Sequence, residues 1–245
     1  MPGRYQVQER LTAWGADGQR LLSQAMVTVV GVGALGGAAA IFLARAGVGR
    51  LRLIDPDAVS LENLHRQILF DEQDAGQNRP KALAAAEHLA AMNRQVALEA
   101  KTTVLDRASA AELIAGSSVV IDGLDQAAPR KVLNRACLEA GIPWVHGGVV
   151  GTRGQVLLVR PGESPCLECW LPDFEEPAQT LATHGVMPSL PGLIASLQVS
   201  EALKLLIGDK DNLLTGLLLI NLRPLRFKIL PPGNFQKCPA CAGSY

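Results

Sequence analysis

Residues 27–37 read VTVVGVGALGG, a run of four β-branched residues that passes without a break into Gly31, Gly33, Gly36 and Gly37. β-Branched side chains favour strand, and a GxGxxG pattern directly behind a strand marks a tight turn that opens a helix. In that pattern Gly31 permits the turn, Gly33 lets backbone approach a phosphate, and Gly36 lets the helix pack on the strand. The helix start behind it presents free N–H groups and about half a positive charge to an anion. The next apolar run, 51–54, closes on Asp55, twenty-four positions after Gly31, where an acid is placed to hydrogen-bond ribose hydroxyls. These features together predict a nucleotide-binding βαβ unit.

Outward from that unit, short apolar runs alternate with helical patterns from residue 21 to 148. Strands are expected at 96–100, 119–121 and 144–146, and helices at 35–46, 80–92, 108–115 and 130–140. Continuous apolar runs of this kind suit parallel strands buried on both faces. After Gly148 the pattern changes to strands at 154–159, 217–222 and 225–230 and a helix at 193–206, with a polar, proline-rich crossing loop at 173–191. The expected fold is a Rossmann-like, doubly wound, mainly parallel α/β sheet with an antiparallel C-terminal extension. It is read as one domain over 1–245, with a nucleotide-binding half at 21–148 and the extension at 149–245.

The 245 residues are 48% hydrophobic, enough for a sizeable core, and 23 basic residues balance 23 acidic ones. A net charge of zero and 4% aromatics offer neither a basic field nor stacking platforms for nucleic acid. The uncharged run 25–44 has the length of a membrane span, but its valines and glycines read better as strand, turn and buried helix. The opening MPGRYQVQER is polar and lacks the apolar stretch of an export signal. Four of the five cysteines form two pairs, Cys166-x-x-Cys169 and Cys238-x-x-Cys241. That is the four-thiolate pattern of structural zinc, with a redox pair as the alternative, and it suits a reducing, cytoplasmic compartment.

The segment after Asp55 separates ATP from a dinucleotide. IDPDAVSLENLHRQILF and the following GQNRPK supply Asn63, Arg66 and Lys81. A triphosphate needs such a cationic cluster, whereas a bound NAD would leave it unassigned. The strand at 119–121 runs into Asp122 and Asp125 at its carboxyl end, where open α/β sheets bind ligands. Asp125 is the candidate ligand for a phosphate-bridging Mg2+, and Asp122 is expected to fix the turn.

The chain resembles the ThiF/MoeB/HesA family, bacterial relatives of the ubiquitin-activating enzymes. The resemblance rests on RY at Arg4 and Tyr5, the glycine turn, IDPDxVSLENLxRQ, the lysine downstream, D-G-x-D, GVM near residue 185 followed by SLQxxEALK, and both cysteine pairs. It implies ATP-dependent adenylation of the C-terminal glycine carboxylate of a small ubiquitin-like sulfur carrier, of the ThiS/MoaD type, with release of pyrophosphate. Thiamine and molybdopterin synthesis are the pathways it points to. On this reading Gly31, Gly33 and Gly36 cradle the nucleotide, Asp55 holds ribose, Asn63 orients a phosphate oxygen, and Arg66, Lys81 and Asp125 carry the reaction. A homodimer is also implied. No rhodanese-like segment follows within these residues, so a separate sulfur donor is expected. Peptide-terminus adenylation elsewhere in the family, or an NAD-dependent oxidoreductase, are the alternatives.

Two positions depart from the family pattern. Val7 stands where relatives commonly carry an arginine, for which Arg10 is a possible substitute if the segment is helical. Leu181 stands where some relatives carry a cysteine in the crossing loop. His184 nearby is expected to be a loop residue, and Cys137, on the apolar face of its helix, a buried inert thiol. No covalent thioester on this chain is expected.

Overall fold

The computed structural model describes residues 3–172, 184–233, 235 and 238–241. The first half runs α1 (Gly15–Gln24), β1 (Met26–Val30), α2 (Ala34–Ala46), β2 (Arg50–Ile54), α3 (Glu72–Gly76), α4 (Lys81–Met92), β3 (Ala97–Lys101), α5 (Ala110–Ile114) and β4 (Val119–Asp122). It continues with α6 (Ala127–Ala140), β5 (Trp144–Val150), β6 (Arg153–Val159), α7 (Leu167–Trp170), α8 (Leu190–Leu206), β7 (Leu217–Leu222) and β8 (Leu225–Leu230). All eight strands join one sheet in the order β3-β2-β1-β4-β5-β6-β7-β8. Pairing is parallel from β3 through β5 and antiparallel from β5 through β8.

Strand alternation divides the core into two layers. Val27, Val29, Leu51, Leu53, Ile121 and Val145 point to one face, where α2, α4 and α8 cover them. Val30, Ile54 and Val120 point to the other, beneath α5 and α6. The alanine run Ala38–Ala40 is fully buried, which lets α2 lie close on the sheet. Helix α2 stops at Gly47, whose φ of 84° is the left-handed helix-ending conformation that a side chain disfavours.

The expected α/β fold with its antiparallel extension is therefore present. The run 25–44 is β1, the glycine turn and the first part of α2, and no described helix is long and apolar enough to cross a membrane. Several boundaries differ from the sequence reading. β5 continues to Val150 rather than stopping at His146, α6 starts at Ala127, and α1 precedes the first strand. Pro80 caps α4 from outside rather than opening its first turn. Of the crossing loop, 173–183, including Leu181, lies outside the described residues, and Leu190 and Pro191 already belong to α8.

Candidate active site

The connections leave β1 toward β2 on one side, while β4 lies on the other, so a crevice opens at this switch in strand order, the usual ligand position in such sheets. Two glycine turns meet in it. Gly31 has φ of 81°, and a Cβ there would lie 2.7 Å from the Gly123 carbonyl. A Cβ on Gly123 would lie 2.2 Å from the Gly31 oxygen, and one on Gly36 only 1.8 Å from it. Gly33 is different: its nearest neighbour would be Gln67 Nε2 at 3.6 Å. No protein contact demands a glycine at 33, and this position lines a cavity of about 1050 Å³.

Gly31, Asp55, Arg66, Lys81 and Asp125 line the same cavity, so five of the expected residues converge with Gly33. Gly36 and Asn63 do not line it. Gly36 instead permits contact between helix and turn. Asn63 donates to Ser60 Oγ at 2.7 Å and accepts from the Arg66 guanidinium, so its amide orients the arginine. Asp55 is buried; its Oδ2 accepts from the Val32 N–H at 2.7 Å and its Oδ1 from the Asp57 N–H at 2.9 Å. Burial pushes its carboxyl above the usual value, against the opposing pull of Lys81.

Lys81 is no solvated surface charge. It is buried, donates to Asp57 Oδ2 at 2.9 Å, and stands 3.9 Å from Asp55 Oδ1. Backbone pairing holds it there, with Val59 N–H donating to Arg79 O at 2.9 Å and Lys81 N–H to Asp57 O at 2.8 Å. Asp125 is exposed and makes no ion pair among the described residues. Gln67, which sequence reasoning passed over, lines the cavity at 5% exposure, and its Oε1 has no hydrogen-bond partner among the described residues. A ligand donor would satisfy it.

Asp122 fixes the turn, as expected, through a network the sequence did not disclose. It is fully buried; Oδ1 accepts from Leu124 N–H at 2.9 Å and Oδ2 from Arg130 Nε at 2.9 Å. His146 Nδ1 lies 2.7 Å from Oδ2, and its Nε2 faces Gln155 Nε2 at 2.9 Å. Because the amide nitrogen of Gln155 can only donate, the imidazole carries its proton on Nδ1 and donates to Asp122. Burial holds the His146 pKa below its usual value, so the ring is neutral. Burial alone would raise the Asp122 carboxyl, but the Arg130 guanidinium and His146 outweigh it and hold it below the usual range. Arg130 and Gln155 also line the cavity, as do Arg153, Arg226 and Lys228.

The four paired cysteines come together away from this cavity. Sγ separations are 3.8 Å for Cys166–Cys169, 3.8 Å for Cys166–Cys238 and 3.5 Å for Cys169–Cys241. Four sulfurs at zinc-bond length around a tetrahedral ion sit about 3.8 Å apart, so the donor set fits zinc. Asn134 steadies the first knuckle, accepting from Leu167 N–H at 3.3 Å and donating to Glu168 Oε1 at 3.0 Å. Cys137 is fully buried, and burial pushes its thiol well up, as befits an inert group. Val7 is 78% exposed, and Arg10 ends a single 3-10 turn, Gln8–Arg10. Neither these two nor the exposed His184 lines the cavity.

Comparison with known proteins matches residues 5–240 to the ThiF family model. The chain is 42% identical to the molybdopterin-synthase adenylyltransferase of Escherichia coli over 84% of this chain and 82% of that one. It is 36% identical to the sulfur carrier protein ThiS adenylyltransferase of the same organism, over 98% and 95%. With the SAMP-activating enzyme E1 of Haloferax volcanii it shares 37% identity over 93% and 84%. The crystal structure of Escherichia coli MccB with ATP superposes with a TM-score of 0.83 at 20% identity, covering 98% of this chain and 75% of that one, a likeness of fold. Match, coverage and site together establish that the chain belongs to the ThiF family.

Proposed function

We propose that this chain adenylates the C-terminal glycine carboxylate of a small ubiquitin-like sulfur-carrier protein of the ThiS/MoaD type, consuming ATP and releasing pyrophosphate. The observation that carries this reading is that Lys81 and Arg66 line one cavity with Gly31, Gly33 and Asp55 at the switch in strand order. A C-terminal carboxylate has a pKa near 3.5 and is ionised at neutral pH, so it needs no general base. Its oxygen attacks the α-phosphorus, the bond to the bridging β-phosphate oxygen breaks, and pyrophosphate leaves with that electron pair. The obstacle is repulsion between two anions, which positioned cations relieve.

In this scheme Gly33 admits the phosphates, Asp55 faces the ribose, and Lys81 and Arg66 hold the triphosphate, with Asn63 fixing the arginine. Asp125 fits Mg2+, which when bound would neutralise phosphate charge; the four cysteines fit a structural Zn2+ with no open position for substrate. The same reading includes a homodimer, a separate protein as sulfur donor, and work in the reducing cytoplasm. The names of the relatives support the carrier as substrate, since they are adenylyltransferases of sulfur-carrier systems.

The test is exchange of labelled pyrophosphate into ATP with purified ThiS- and MoaD-type carriers ending in Gly-Gly. Carrier-dependent exchange is expected, with calorimetry showing binding of ATP and not of NAD. Absence of exchange with every carrier overturns the proposal.

A further inference from the structure

The cavity has a second end whose charge the nucleotide does not explain. Strand register places Gln155 and Lys228 in one cross-strand row and Arg153, Asn221 and Arg226 in the next, on the face of β6–β8 that lines the cavity. The acids lining the cavity, Asp55, Asp57 and Asp125, all belong to the parallel half. Arg153, Arg226 and Lys228 are exposed to the cavity, and none makes an ion pair or side-chain hydrogen bond among the described residues. Arg226 and Lys228 stand two places apart on one face of β8, and Arg153 shares that face one strand beyond β7, so three like charges gather with no opposite charge among them to offset their repulsion.

Distance separates this wall from the triphosphate site. β6 lies three strand spacings from β1 and β8 lies five, roughly 14 Å and 24 Å at about 4.8 Å per strand. An extended chain covers about 3.3 Å per residue. A polypeptide whose terminal carboxylate lay at the switch point would therefore bring its residues roughly four to seven places upstream beside Arg153, Arg226 and Lys228.

We infer that Arg153, Arg226 and Lys228 form a specificity wall for the acceptor, selecting a polypeptide that carries carboxylates where its tail emerges, about 14–24 Å from the reacting end. This rests on the proposed adenylation for the direction of the tail. It goes beyond that reading in naming what distinguishes an accepted carrier from a refused one.

The probes are two fluorescein-labelled peptides ending in Gly-Gly, one with glutamates and the other with glutamines at the fourth to seventh places from the end. Binding to the full chain is read by fluorescence anisotropy. We expect the glutamate peptide to bind about tenfold tighter at low salt and to lose that advantage near 1 M salt, where screening is nearly complete. In Arg226→Ser/Lys228→Ser the advantage falls below about twofold while ATP affinity is unchanged, and Arg153→Ser gives a partial loss. Equal affinities, no binding of either peptide, or an advantage that survives the double substitution overturns the inference. So does a tenfold loss of ATP affinity in the double variant, which would assign these cations to the nucleotide. Pyrophosphate exchange separates the two readings: preference without exchange fails the adenylation proposal alone, and exchange without preference fails this one alone.

Discussion

Asp122 and Asp125 stand three positions apart and do opposite things. Asp122 is sealed in the protein with every oxygen engaged, and Asp125 faces the cavity with no charged partner among the described residues. Replacing Asp125 therefore removes ligand chemistry without opening the core. Asp125→Ala is expected to cut pyrophosphate exchange at least a hundredfold while leaving the thermal midpoint within about a degree of wild type. Retained exchange would show that the metal is held elsewhere. That Gly31, Gly33, Asp55, Lys81 and Arg66 share one cavity was readable from the sequence, because each stands at a fixed spacing behind a strand that ends there. Asn63 was read a step too directly, since only the folded loop commits its amide to Arg66. Gln67 closes the quoted motif IDPDxVSLENLxRQ but was given no role, because an unmatched amide oxygen exists only relative to its neighbours.

Helix α6 links the cavity to the cysteine cluster. It begins just past Asp125, carries Arg130 in its second turn, and carries Asn134 and Arg135 one turn further, against the first cysteine knuckle. The sequence reading started this helix at 130, yet Pro129 at its third position gives up no hydrogen bond, since the first helical turn has no use for the missing N–H. β5 was also read short. Gly147 resembles a breaker, but a Cβ there would lie 2.5 Å from Gln198, so close packing of α8 explains it inside the strand. The cysteine pairs were plain in sequence because paired CxxC spacing reflects the ion's own geometry. Trp170, beside the first knuckle, meets Phe235 edge-on at 5.0 Å. Stripping bound zinc with a chelator is expected to shift tryptophan emission to the red and lower the unfolding midpoint by several degrees, about 2–4 °C for each kcal/mol lost in a chain of this size. An unchanged midpoint after proven metal removal would contradict a structural metal.

Across the whole molecule the sheet was legible and the couplings between its distant parts were not. Four elements, β4, α6, β5 and β6, contribute Asp122, Arg130, His146 and Gln155 to one buried network, and no local pattern marks their meeting. That network has a consequence for acid stability. His146 is held neutral in the folded state, so the unfolded chain takes up a proton first as pH falls below about 6.5, and stability declines there by about 1.4 kcal/mol per pH unit. The lowered Asp122 carboxyl works in the same direction at lower pH, with stability present above about 3.9 and lost as pH falls further. Denaturant melts between pH 7 and 5 should show the first decline, and His146→Asn, which keeps a donor for Asp122, should flatten it. An unchanged slope in that variant would refute the neutral buried imidazole. The hairpin of β7 and β8 has a consequence of another kind. Only Arg223 and Pro224 lie between its strands, and Arg226 and Lys228 alternate with Leu225, Phe227 and Ile229. Because consecutive strand positions face opposite ways, a slip of one place would turn the greasy side of this ribbon inward and send the positive side out. The length of a two-residue corner, which does not itself line the cavity, thus decides whether charge or grease faces the far end of the chamber.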